Sequence, residues 1–240
     1  LPQEFWIRNV EIWNAGSLPI PAQDLFVKDG VIEKILPHAG QFEENDFDGK
    51  GKVLMPSGVD LQVHLRVPGQ SQKETPETGL RAALKGGYGA VLTMPNTQPV
   101  LDSADKITGL NIEIDPWVRK FGVKVMPSAA MTLSQEGQKV VDGLSLKTAG
   151  AYALTDDGVG VSRDEIMEEV LKESHRSGLP VLQHAEVPGH GGVLAPGPTQ
   201  AKLGLKAYDE AAEIDMVKRD IGLVKKLYEQ YPKLRYHVLH

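Results

Sequence analysis

From residue 53 onward, short apolar runs alternate with longer amphipathic segments, and this alternation restricts the fold more than any other feature of the chain. The apolar runs at 59–65, 89–94, 122–127, 149–155, 180–184 and 235–240 suit strands covered on both faces. Between them, the segments at 75–86, 103–120, 135–143, 163–177 and 207–230 carry helical spacing. Such repetition predicts an α/β fold of parallel strands joined by crossover helices. Six alternations point to a TIM-like (β/α) barrel, which needs eight strands in roughly 250 residues, so the chain reads as incomplete after strand six. An open doubly wound sheet satisfies the same alternation. It would carry a Gly-rich phosphate turn after the first strand, where this chain has Val67-Pro68-Gly69-Gln70.

The first 52 residues follow a different pattern. Runs at 5–12 and 25–36 are rich in β-branched and aromatic residues, and Asp29-Gly30 interrupts the second, which is a hairpin signature. An acidic, glycine-rich stretch from Glu43 to Lys52 follows. The expected organisation is a small β-sandwich portion over 1–52 and a barrel over 53–240. The chain starts at Leu1 and stops at His240 inside a strand-like run, so both ends read as cut.

Composition narrows the chemistry. With 41% hydrophobic residues in 240, the chain can bury a sizeable core, and a net charge of −6 offers no basic stripe for phosphates. The expected partner is a small-molecule substrate, with no nucleic acid and no membrane. Having no cysteine, the chain cannot form disulfides, thiolate metal sites or a cysteine nucleophile. Any metal is left to His, Asp, Glu or a modified Lys. No run approaches the roughly 20 apolar residues of a membrane helix and no signal peptide is legible, which makes a cytoplasmic location the expectation.

In a parallel barrel the C-terminal strand ends share one mouth, so the residues there are the candidate site. The first strand ends in Gln62-Val63-His64-Leu65-Arg66, the fourth in Asp156-Asp157-Gly158, the fifth in His184-Ala185-Glu186 and the sixth in His237-Val238-Leu239-His240. Imidazole and carboxylate groups of this kind suit zinc. Read singly, a strand-end His is ordinary packing and Asp-Asp-Gly an ordinary turn; their recurrence on three strands makes Asp157 a candidate ligand. Alternation sends Gln62, His64 and Arg66 to one side as a polar row, with His64 able to reach a metal and Arg66 a carboxylate. Asn96, after the second strand, either orients a substrate or makes a turn. His38, His175 and His190 are expected on the surface. Of His237 and His240, three apart on one strand, only one can face the metal.

Pro56-Ser57-Gly58-Val59-Asp60 leading into Gln62-x-His64-x-Arg66 resembles the opening of the longer bacterial dihydroorotases, members of the amidohydrolase superfamily. So do Met94-Pro95-Asn96-Thr97, Asp156-Asp157-Gly158, His184-Ala185-Glu186, Lys218-Arg219-Asp220 and the final His-x-x-His. The resemblance implies the reversible cyclisation of N-carbamoyl-L-aspartate to L-dihydroorotate in pyrimidine biosynthesis, inside a TIM-like barrel with a small β-sandwich. It implies one or two zinc ions held by His64, Asp157, His184 and His240, with Arg66 and Asn96 on the substrate carboxylate. Zinc would acidify a water and polarise the ring carbonyl. The general base, an Asp after strand eight, is expected past residue 240. Asp157 would replace the carboxylated Lys of dihydropyrimidinases, whereas Lys147 precedes the fourth strand.

The chain departs from that pattern at Gln62, where the resemblance calls for a ligand His. An amide is a poorer zinc ligand than imidazole. Three functions therefore stay open: a working dihydroorotase, a catalytically silent paralogue acting as a structural partner of aspartate transcarbamoylase, or an enzyme for another cyclic amide. A homodimer is compatible with each. The loop Val187–Gln200, rich in Gly and Pro, is a candidate cover for the ligand.

Overall fold

A computed structural model of the chain describes residues 3–190, 192 and 194–239. It divides into two compact units, Leu1–Ser57 and Gly58–His240.

The first unit is one five-stranded sheet. β1 (Glu4–Ile12), β2 (Ile20–Lys28), β3 (Val31–Pro37) and β4 (Phe47–Asp48) lie in the order β3-β2-β1-β4, and β5 (Val53–Leu54) also pairs with β1. The β2–β3 turn is the expected hairpin: Asp29 and Gly30 both take left-handed backbone, at φ 49° and 79°, which matches the twist of the flanking strands. Val10, Ile12 and Leu25 form the small core.

Beside that core, Asp24 is buried and accepts from the Asn9 and Ala39 backbone N–H, while facing His38 and Arg8. Burial pushes its carboxyl upward, but the hydrogen bonds from Asn9, His38 and Ala39 outweigh it and hold the group below the ordinary 3.8. A depressed native value stabilises the fold above the unfolded value and is lost as pH falls through the native one. Acid titration followed by the fluorescence of Trp6, which stacks on Arg8, should therefore show this unit loosening below pH 3.8. Asp24→Asn should flatten that transition; an unchanged transition would assign it to other carboxylates.

The second unit is a six-stranded parallel sheet with its strands in sequence order. β6 (Gly58–Val63), β7 (Tyr88–Thr93), β8 (Lys124–Ala129), β9 (Ala153–Leu154), β10 (Val181–His184) and β11 (Tyr236–Leu239) are neighbours in turn. Helices α1 (Pro76–Lys85), α2 (Ala104–Phe121), α3 (Gly143–Thr148), α4 (Asp164–Ser177), α5 (Pro198–Leu203) and α6 (Ala211–Leu227) occupy the connections. Alternation along each strand separates two apolar layers: Val91, Val125, Leu154 and Val181 pack in the large helix-side core, while Leu92, Ala153, Leu182 and Leu239 form a smaller cluster with Met94. A fully buried leucine in the larger layer, such as Leu171, contributes about 1.5–3 kcal/mol. Burial on both faces is why β7, β9 and β10 read as apolar runs, whereas β6 keeps Val59 and Leu61 exposed.

Two segments differ from expectation. No helix forms over 135–143; a 3-10 turn at Leu133–Gln135 is followed by a bridge between Thr132 and Val140, and the helix begins only at Gly143. Ser134 and Gln135 take left-handed backbone, at φ 54° and 57°, which ends any helical path there. The Val187–Gln200 loop runs into α5, where Pro198 supplies the first-turn proline. Among the described residues no helix is long and apolar enough to cross a membrane.

Candidate metal centre

Strand parity decides which side chains meet. Val63 packs against the helix-side core, so Gln62 and His64 are sent to the opposite face, the one that Leu182 and His184 share on β10. Asp157 follows the short β9, is buried, and lies at the centre of the group. Gln62 Nε2 donates to its Oδ1 at 2.8 Å, and Asn96 Nδ2 donates to its Oδ2 at 3.1 Å. His64 Nε2 stands 3.5 Å from Oδ2, and His184 Nδ1 stands 3.8 Å from Oδ1. Five of the side chains singled out in the sequence thus converge, the imidazoles on different oxygens of one carboxylate.

Each imidazole has its other nitrogen engaged elsewhere. His64 Nδ1 meets Asn96 Oδ1 at 3.1 Å, and His184 Nε2 meets Glu186 Oε2 at 3.3 Å. The nearby Asp157 carboxylate, with Glu186 adding to it, holds the His184 ring above its ordinary 6.5 against the opposing effect of burial. Outer partners of this kind fix the orientation of a ring.

Asp157 is braced from behind by groups that carried no assignment in the sequence. Asp156 is fully buried and accepts from the backbone N–H of Met131 and Thr132 and from the Thr132 hydroxyl. Burial pushes its carboxyl up to about 6 against those hydrogen bonds. Gln135 Nε2 donates to the Asp157 backbone oxygen at 3.3 Å, which gives the left-handed Ser134-Gln135 pair a role in the site. Asp-Asp-Gly was the available signal for Asp156, and His184-Ala185-Glu186 for Glu186; nothing in the sequence marked Thr132 or Gln135.

The remaining assignments are less central. Arg66 leaves the strand alternation: its φ is 59°, and its carbonyl accepts from Gln70 N–H at 2.9 Å. It therefore does not continue the row of Gln62 and His64, although it lies two residues beyond His64. His240 lies outside the described residues. Its neighbour Leu239 is the register partner of His184, and His237 is exposed. His38 pairs with Asp24, His190 with Asp209, and His175 accepts from the Lys233 backbone N–H.

Two ligands of a tetrahedral zinc, each at about 2.0–2.2 Å, stand roughly 3.4 Å apart. The imidazole-to-carboxylate separations of 3.5 and 3.8 Å are close to that, and the donor types fit zinc. Among the described residues, however, no three His, Asp or Glu side chains form a group able to hold an ion by themselves. The pairs fit the metal, and a complete set needs a further ligand. A cavity of 130 Å³ lined by His184, Ala185, Glu186, Tyr208, Glu213 and Leu239 opens beside this group.

The same architecture occurs in solved structures. The L-hydantoinase (dihydropyrimidinase) of Arthrobacter aurescens superposes with a TM-score of 0.73 over 98% of this chain and 52% of its own, at 19% identity. The dihydroorotase of Saccharomyces cerevisiae, solved with 5-fluoroorotic acid, superposes with a TM-score of 0.50 over 75% of this chain and 46% of its own, at 18% identity. The chain thus shares the fold of about half of that hydantoinase chain. In sequence, the dihydro-orotase-like family matches residues 51–226. The dihydroorotase of Halalkalibacterium halodurans is 37% identical over 92% of this chain and 50% of its own length. That of Elusimicrobium minutum is 37% identical over 93% of this chain and 52% of its own length. The chain belongs to the dihydro-orotase-like family, and it spans about half the length of the curated relatives it matches.

Proposed function

We propose that the protein is a zinc-dependent, cytoplasmic cyclic amidohydrolase that interconverts N-carbamoyl-L-aspartate and L-dihydroorotate in pyrimidine biosynthesis. One observation carries the reading: two imidazoles each turn one nitrogen to the Asp157 carboxylate while an outer partner holds the other. The donors at the ends of β6, β9 and β10 suit the mouth of a TIM-like barrel, which two further strands would close. The five-stranded sheet is then one layer of the small β-sandwich.

In this reading His64, Asp157, His184 and His240 hold one or two zinc ions. Bound zinc supplies Lewis acidity toward the ring carbonyl and a water. Arg66 binds the substrate carboxylate with its planar fork, and Asn96 borders the same place. Hydrolysis adds water across the ring C–N bond, the hydroxyl going to carbon and the proton to nitrogen; a carboxylate past residue 240 is the proton carrier. Gln62 and Asn96 both donate a hydrogen bond to the Asp157 carboxylate.

The Gln62 hydrogen bond also favours a second reading, a silent paralogue held with aspartate transcarbamoylase. An amide sits on Asp157 Oδ1 where the resemblance implies an imidazole nearby. Zinc analysis beside a dihydroorotate hydrolysis assay separates the two. The wild-type protein should hold zinc and turn over, and Arg66→Ala should lower kcat/KM roughly 10²-fold through loss of a charged, bidentate contact. Unchanged turnover in Arg66→Ala would remove the clamp. A zinc-free, idle wild type whose Gln62→His variant gains both properties would establish the silent reading.

A further inference from the structure

Asn96 lies between two groups whose chemistry fixes its orientation. Its Nδ2 is 3.1 Å from Asp157 Oδ2 and 3.3 Å from the Asp157 backbone oxygen. A carboxylate and a carbonyl only accept, so the amide nitrogen must be the atom turned toward them. The planar amide then presents its oxygen on the other side, 3.1 Å from His64 Nδ1. That oxygen also only accepts, so Nδ1 carries the proton of the neutral ring.

We propose that Asn96 is a positioning residue that holds neutral His64 in its Nδ1–H tautomer and keeps Nε2 as an electron-pair donor beside Asp157. The opposite tautomer has an obvious attraction, because His64 Nε2 is 3.5 Å from Asp157 Oδ2. A proton on Nε2 would tie imidazole and carboxylate to each other and withdraw both from an incoming cation. Asn96 opposes this twice, by giving Nδ1–H an acceptor and by donating to Oδ2 itself. At His184 the arrangement differs, with a carboxylate facing each nitrogen, Glu186 at Nε2 and Asp157 at Nδ1. This assigns Asn96 a function besides bordering the substrate. The geometry stands without the metal-centre reading; only the consequence for cation binding rests on it.

The test uses nitrogen NMR of the 15N-labelled, metal-free protein at a pH where its rings are neutral, with the His64 signals identified by their loss in His64→Gln. Wild type should show a protonated Nδ1 and an unprotonated Nε2. In Asn96→Leu the pattern should reverse, and affinity for zinc, measured against a chromophoric chelator, should fall by about 10–100-fold. Asn96→Ala supplies the same comparison if the leucine variant does not fold. A wild-type ring protonated at Nε2, or a tautomer unchanged in both variants, overturns the proposal. A wild type with the expected tautomer and no affinity for zinc would support the proposal while removing the metal-centre reading.

Discussion

Asp157→Ala should abolish stoichiometric zinc binding and lower dihydroorotate turnover by about 10³-fold or more, since Lewis acidity toward the carbonyl and the water is lost together. The size follows from position. Asp157 is the group that His64, His184, Gln62 and Asn96 all approach, and each oxygen has an imidazole on one side and an amide donor on another. Asp157→Asn should be nearly as severe, because a neutral amide neither attracts a cation nor suits donors aimed at a carboxylate. Zinc content after gel filtration, with turnover measured on the same sample, checks both variants. Retention of zinc at wild-type stoichiometry would place the ion elsewhere.

The largest stability effect is expected away from the site, at Asp220→Ala. Asp220 is fully buried on α6 and accepts from Arg219 Nε at 2.6 Å, Tyr236 Oη at 2.7 Å and Gln183 Nε2 at 3.2 Å. Burial pushes its carboxyl upward, against the opposing Tyr236, Arg219 and Gln183 contacts. Truncation takes one of two carboxylates from Arg219, one of its acceptors from Gln183 Nε2, and the buried acceptor of Tyr236 Oη. Breaking a buried pair by removing one partner costs about 3–5 kcal/mol. The urea midpoint should drop accordingly with an unchanged slope. Asp220→Asn, which keeps an acceptor, should lose less; equal losses would show that charge, not hydrogen bonding, dominates.

The same network reaches the site through the backbone. Gln183 exchanges hydrogen bonds with the Val161 backbone N–H and carbonyl, and Arg219 donates to the Val161 and Ser162 carbonyls. It thereby pins the segment after Asp157 to the strand that carries His184. Gly160 shows how close that approach is: a Cβ there would lie 2.5 Å from the His184 carbonyl oxygen. Arg219 and Asp220 of the Lys218-Arg219-Asp220 motif provide this support.

How much of this was legible in the sequence depended on how local the cause was. The six parallel strands were legible because apolar runs recur between helical segments, and the β2–β3 turn because Asp29-Gly30 readily takes the left-handed backbone that a two-residue hairpin turn needs. The absent helix at 135–143 was not, since the left-handed Ser134 and Gln135 serve a contact with Asp157 that spacing cannot reveal. Strand-end position brought out His64, Asn96, Asp157 and His184. Arg66, whose backbone leaves the pleat, does not continue the row that alternation implies, and strand-end position gave no hint of how the rings are oriented. Their outer partners are Asn96 for His64 and Glu186 for His184, and both are set by tertiary geometry.

Anomalous scattering at the zinc edge, from crystals grown with zinc, tests most directly whether these side chains share a cation. A peak within about 2.0–2.3 Å of an Asp157 oxygen and the inner nitrogen of His184 or His64 is the predicted result. Crystals in which zinc avoids this group, while Gln62 and Asn96 still close on Asp157 as they do here, would contradict it.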